Sequence, residues 1–341
     1  MIVFLGLAVF ELIVLFLYHI AKNQKQKIWL YIAGCLGLFL VVGLRSSYTG
    51  SDTSNYLDIF LQIRNISWEN IAVEYNGEYA FYFLNKLIGS FTNSSQTFLL
   101  ITSAVSLIGI FDFFWHNSKS PILALYLYIT IGNFGFVLTG IRQAIAMSIC
   151  MIAVRFVQKR KLGWFVLFVC LAAQFHRSAY VFFVMYLLGT RKVNIMSMII
   201  NILITVIAYF SYDNLLNIAN DILDYNYGVE ETDNGFVFFM ILIIITVFAL
   251  MTKNYWVKGK KELVILNSGI ICNILWVFRL IGRTAERPTM YWLNAVPVVL
   301  SESVESIDDK QIRMYMRIAV IGFTFLFFAY RCRGAYYAFG F

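Results

Sequence analysis

Ten polar side chains stand out from an otherwise apolar chain: Arg45, Asp52, Glu78, Arg142, His176, Arg177, Arg279, Arg283, Glu286 and Arg287. Arginine is a fixed planar cation that grips phosphate oxygens through two parallel N–H bonds. Arg279, Arg283 and Arg287 are spaced i, i+4, i+8. On one continuous helix they share a face, about 6 Å apart in rise, which suits a diphosphate. Pro288 biases Arg287 away from helical geometry and Gly282 loosens the turn, so clustering is the firmer expectation. Arg142 and Gln143 follow Gly140 where a helix should begin. Free backbone N–H groups and the positive dipole end add to the arginine there. Asp52, Glu78 and His176 can each accept a proton from an attacking hydroxyl. The bland readings stay open: snorkelling arginines, ion pairs with acidic loops, Arg142 as an interfacial anchor, and Asp52 as a helix cap or partner of Arg45.

The elements that position these residues are membrane helices. Of 341 residues, 60% are hydrophobic and 13% charged, whereas a soluble domain needs about a quarter charged. Lipid must be the solvent for much of the surface. Apolar stretches of spanning length lie at 2–20, 28–44, 96–115, 121–139, 141–157, 193–211, 236–251, 262–281, 288–301 and 312–330. The stretch 162–189 reads as a short hairpin with His176 at its tip. The expected fold is an all-α polytopic bundle of about ten or eleven transmembrane helices, one domain over 1–341. Segment 45–95 is too long for an idle loop. Tyr56, Ile59, Phe60 and Ile63 fall on one side of a helix there, which predicts an interfacial element. Residues 78–91 are read as a second interfacial or re-entrant run. The first apolar run carries Glu11 and lacks a preceding basic residue, so it reads as a retained helix rather than a cleaved signal.

Lysines and arginines set the orientation. Lys22, Lys25 and Lys27, then Lys159, Arg160 and Lys161, then Arg191 and Lys192, then Lys253, Lys258, Lys260 and Lys261 mark cytoplasmic links. Segments 45–95 and 212–235, the latter acidic, fall outside. The link 302–313 is the weakest fit. This topology gathers the ten polar residues on the outer side, against the usual charge rule, and points to an anion-binding outer cavity.

The net charge of +8 fits cytoplasmic basic links, and no basic stripe with interleaved aromatics points to nucleic acid. The five cysteines form no CxxC pair and the three histidines have no metal-ligand spacing, so no metal or cofactor is expected. There is no GxxxxGK[ST], GxGxxG, HExxH, DxD or GxSxG motif.

The block Arg45 to Tyr56, RSSYTGSDTSNY, resembles the R…G-[ST]-D-T-x-x-Y signature of the EpsG-like Wzy family. An acidic residue before an aromatic run (Glu78), a Gly-x-Arg-Gln turn (Gly140, Arg142, Gln143), a Phe-His-x-Ser hairpin (Phe175, His176, Ser178) and an Arg-rich turn (Arg279, Arg283, Arg287) follow in the family's order. The family comprises bacterial membrane polymerases of O-antigen, capsule and exopolysaccharide. The resemblance implies a GT-C-like fold in the cytoplasmic membrane, with the active site facing outward. It implies transfer of a growing glycan from undecaprenyl diphosphate onto a second lipid-linked repeat unit, with membrane lipid and a chain-length regulator protein as further partners. Asp52, His176 and Glu78 are then the catalytic candidates. Arg45, Tyr56, Arg142, Gln143, Arg279, Arg283 and Arg287 are the diphosphate or substrate candidates. A lipid-linked oligosaccharide flippase, an O-antigen ligase and an O-acyltransferase remain alternatives.

Overall fold

A computed structural model describes residues 1–74, 77–223 and 235–340. The chain runs through α1 (Ile2–Ile20), α2 (Gln24–Gly43), α3 (Thr53–Ile63), α4 (Ile71–Glu74), α5 (Tyr79–Gly89), α6 (Ser95–Asn117), α7 (Pro121–Thr130), α8 (Gly135–Thr139) and α9 (Ile141–Gln158). It continues through α10 (Leu162–Ala173), a 3₁₀ segment (Arg177–Phe183), α11 (Val184–Leu188), α12 (Ile195–Phe210), α13 (Tyr212–Leu223), α14 (Phe236–Trp256) and α15 (Lys260–Arg279). A 3₁₀ turn (Arg283–Ala285), α16 (Glu286–Leu293), α17 (Val296–Glu305) and α18 (Lys310–Arg331) complete it. No strand occurs among the described residues, and the fold is the expected all-α membrane bundle.

Seven of these helices are long and apolar enough to cross a membrane, or eight if α12 and the start of α13, bent by 79°, are one span. The sequence reading gave ten or eleven. The difference lies in three stretches that the chain builds as paired short helices. Residues 121–139 break at Gly132, whose φ of +93° belongs to the left-handed region. Residues 162–188 fold back at His176, and residues 286–305 break between α16 and α17.

The broken elements are central. Every residue of α7 is buried, as are nearly all of α17. Helices α1, α2, α6, α17 and α18 wrap α7. By contrast, α12 buries no residue, and only 11% of the most apolar window of α18 is buried. Such faces require lipid rather than water.

Polar contacts collect at two ends, and they fix the up-and-down path. At the lysine-rich end, Arg317 pairs with Glu305 at 2.7 Å and Gln158 bonds Asn117 at 2.7 Å. There too Arg160 reaches Thr190 at 3.2 Å, closing the base of the 162–188 hairpin. At the opposite end lie the hairpin tip, the 45–95 segment and the arginines. Segment 45–95 forms no span: α3 and α5 have 11 residues each, and their apolar faces pack together through Tyr56, Phe60, Phe81 and Ile88. Asp224, Glu230, Glu231 and Asp233 of the acidic 212–235 link lie outside the described residues.

Candidate functional site

The signature block is a tight turn bound to residues far away in sequence. Gly50 adopts φ +90°, and a Cβ there would fall 2.2 Å from the Leu138 carbonyl oxygen, so no other residue fits. Thr53 Oγ1 donates to Thr49 and Leu138 carbonyls at 2.7 and 3.1 Å. Ser46 N–H donates to Ala338 O at 2.8 Å, Ala338 N–H to Thr49 Oγ1 at 3.1 Å, and Gly340 N–H to Leu44 O at 2.9 Å. The turn delivers Asp52 to the N-cap position of α3. Its side chain makes no cap hydrogen bond and instead lines a cavity of about 700 Å³.

That cavity is the arginine site. Arg279, Arg283, Arg287 and Arg331 line it together with Asp52 and Glu286. The first three are not a helical ladder. α15 stops at Arg279, Arg283 begins the 3₁₀ turn, and Arg287 lies in the first turn of α16. Pro288 is accommodated because first-turn residues need no intrahelical N–H donor. The expected bias of Arg287 away from helix is therefore overruled, while the clustering stands. Arg279 is buried and its Nε donates to Glu286 at 2.8 Å. The turn thus holds one arginine rigidly and leaves Arg283 and Arg287 exposed.

A second constellation adjoins it, centred on Glu78. Gly77 and Glu78 both have positive φ, +73° and +52°, which costs free energy for Glu78. The strain aims its carboxylate inward, where it is 6% exposed. It accepts from Arg142 Nη1 at 2.6 Å, His176 Nδ1 at 2.7 Å and Arg177 N–H at 3.1 Å. A carboxylate acceptor at Nδ1 fixes the neutral tautomer and leaves Nε2 as the ring's basic nitrogen. Burial holds the His176 imidazole below its ordinary value, against the opposing pull of Glu78, so the ring is neutral at physiological pH. Arg142 also lies over the rings of Tyr56 and Phe81, 5.8 Å from each centroid. Burial raises the Tyr56 phenol despite this cation. Gln143 ties the two constellations together, donating from Nε2 to Arg287 O at 2.5 Å.

Arg45 stands apart from both. It is 1% exposed and spends Nη1 on Val42 O and Ser103 Oγ, at 2.5 and 3.2 Å. Burial lowers its guanidinium to about 10, still charged at neutral pH. Its side chain is held against the end of α2 and against α6 rather than lining the cavity. The sequence reading missed Arg331 as a site residue. The signal was present: an arginine at the end of the last span on the arginine-rich side. Asn133 and Trp276 also line the cavity; nothing in their sequence context marks them.

The sequence model of one protein family, described as the EpsG family, matches residues 28–339. No curated protein and no solved structure matches the chain.

Proposed function

Because the chain belongs to the EpsG family, we propose that it is a membrane glycosyltransferase that polymerises glycan repeat units carried on undecaprenyl diphosphate. The observation that carries this reading is the cavity lined by four arginines beside the Asp52 carboxylate. It opens at the bundle end opposite the lysine-rich links, and in the positive-inside orientation that end faces outward.

In this reading the donor diphosphate lies against Arg279, Arg283, Arg287 and Arg331. A hydroxyl of the acceptor sugar attacks the anomeric carbon of the donor. The bond from that carbon to the diphosphate oxygen breaks, and undecaprenyl diphosphate leaves with the electron pair. The arginines stabilise the negative charge that develops on it, already in place before the bond breaks. The hydroxyl proton passes to Asp52, whose carboxylate is free of capping duty. Glu78 holds Arg142 and His176 in fixed orientation at the edge of the site. Holding two lipid-linked substrates side by side supplies the proximity term.

The test is deletion and complementation, with the surface glycan resolved on a gel. Loss of long chains with retention of single repeat units on their carrier is the expected result. Absence of any externally displayed repeat unit would assign a flippase instead. Polymer that forms but fails to reach its final acceptor would assign a ligase.

A further inference from the structure

One side of the cavity is lined by residues that also face out of the bundle. Val237 near the start of α14 and Tyr330 near the end of α18 both line it, yet they are 64% and 66% exposed. At these two helices the same residues meet both the cavity and whatever surrounds the bundle. α14 packs on α15 and α17, and α18 packs on α7 and α17, so the two flank a seam. Phe238 and Phe327 stack across it, with centroids 6.3 Å apart. Trp276 backs Phe238 at 4.6 Å. Arg331 sits over both phenyl rings at 5.5 and 5.6 Å and donates to Ile131 O at 3.0 Å.

We propose that the α14/α18 seam is the lateral portal of the cavity, through which a polyprenyl chain passes from the diphosphate site into the bilayer, with Arg331 as the cation at its threshold. The proposal rests on the diphosphate reading above. A diphosphate cannot descend into hydrocarbon, because unpaired charge there is prohibitively costly. A polyprenyl chain cannot leave hydrocarbon without exposing its full apolar surface to water. One site that holds both must break its wall at headgroup level. The seam lies at the final turn of α18 and the first turn of α14, where aromatic residues commonly mark the membrane interface. Cation–π contact keeps the Arg331 guanidinium over the apolar lips, and guanidinium is the cation suited to phosphate oxygens.

Among the described residues the fold offers a rival for the polyprenyl chain. A groove of about 630 Å³ lies between α2 and α6, lined by Leu36, Phe39, Ile108 and Phe111. Its charged lining residue is Asp112, which Arg155 pairs, so the groove lining offers a diphosphate no cation. Charge complementarity therefore favours the seam.

The experiment uses full-length protein in lipid nanodiscs and a polyprenyl diphosphate bearing a diazirine in its first isoprene units. After irradiation, labelled peptides are mapped. Labels should fall on Val237, Phe238, Phe327 and Tyr330, and excess polyprenyl diphosphate should compete while phosphatidylglycerol should not. Labels on the α2/α6 groove, or equal competition by phosphatidylglycerol, would overturn the portal. Arg331→Gln, with its melting transition retained, should lower seam labelling at least about tenfold, the loss of roughly one charge-assisted hydrogen bond. Arg333→Gln should leave it unchanged. Undiminished labelling in Arg331→Gln removes the threshold role. Labelling does not require that units be joined, so failure of the wild type to polymerise would sink the proposed function separately.

Discussion

Glu78 and Arg142 are the pair whose removal should be felt most widely. Their side chains are 6% and 33% exposed, joined at 2.6 Å. Removing one partner of a fully buried ion pair costs about 3–5 kcal/mol. A guanidinium one-third open to water recovers part of its solvation, which lowers the expectation to about 2–3 kcal/mol. In Glu78→Gln, the amide oxygen can keep the place of Oε1 and still accept from His176 and Arg177. The amide nitrogen then faces Arg142 Nη1, donor against donor. Arg142→Gln removes the cation and leaves the carboxylate with its two other donors. The double variant relieves the donor conflict, so a double-mutant cycle should give a coupling of about 2 kcal/mol. Chemical unfolding in mixed micelles measures it. A coupling below about 0.5 kcal/mol, the usual scatter of additivity, would refute the view that Glu78 organises this corner. Each single variant should also shorten the glycan ladder at matched expression, because the Arg142 guanidinium loses its carboxylate in one and is absent from the other.

Asp52→Asn should slow polymerisation by about 10²–10⁴, with diphosphate binding and melting unchanged because the side chain caps nothing; near-normal turnover would remove Asp52 as proton acceptor. His176 is held below its ordinary value of 6.5 by burial, so the unfolded chain takes up the proton first as pH falls. Stability should therefore decline below pH 6.5, and less steeply in His176→Gln; parallel pH curves of melting temperature would contradict this. Gly132→Ala places a side chain at φ +93°, 2.7 Å from Arg331 Nη1, and should destabilise by at least about 1–2 kcal/mol, whereas Gly135→Ala meets nothing within 4 Å and should be neutral in the same unfolding assay. Cysteines at Ser51 and Asn93 should react with an impermeant thiol reagent on intact cells, and one at Gly259 should not; outside labelling at Gly259 would invert the topology.

The helices were readable because hydropathy reports burial in lipid directly. The hairpin at His176 followed from charge alone, since Arg160 and Arg191 must share a side. Spans with internal breaks were harder. Residues 121–139 carry a continuous apolar signal, and the break at Gly132 serves Arg331 two hundred residues later, a demand that no local window contains. The arginine cluster was visible in spacing; helical periodicity alone suggests a ladder, whereas Gly282 and Pro288 argued for a looser arrangement, and packing chose a turn. Arg45 shows the limit from the other side. Its position in the signature block says it matters, and only the fold separates a residue that lines the cavity from one held against Val42 and Ser103 away from it.

The bonds from Ala338 and Gly340 to the signature turn, and the antiparallel bridge between Arg45 and Phe339, impose an order of assembly. The turn that carries Asp52 leaves the ribosome early, after two spans. Its hydrogen-bond partners leave only after α18. Until then a nascent or prematurely released chain can possess nearly every helix and yet lack the closed turn that places Asp52 at the cavity. A chain that stops short of α18 would therefore carry its helices in the membrane with this turn unclosed.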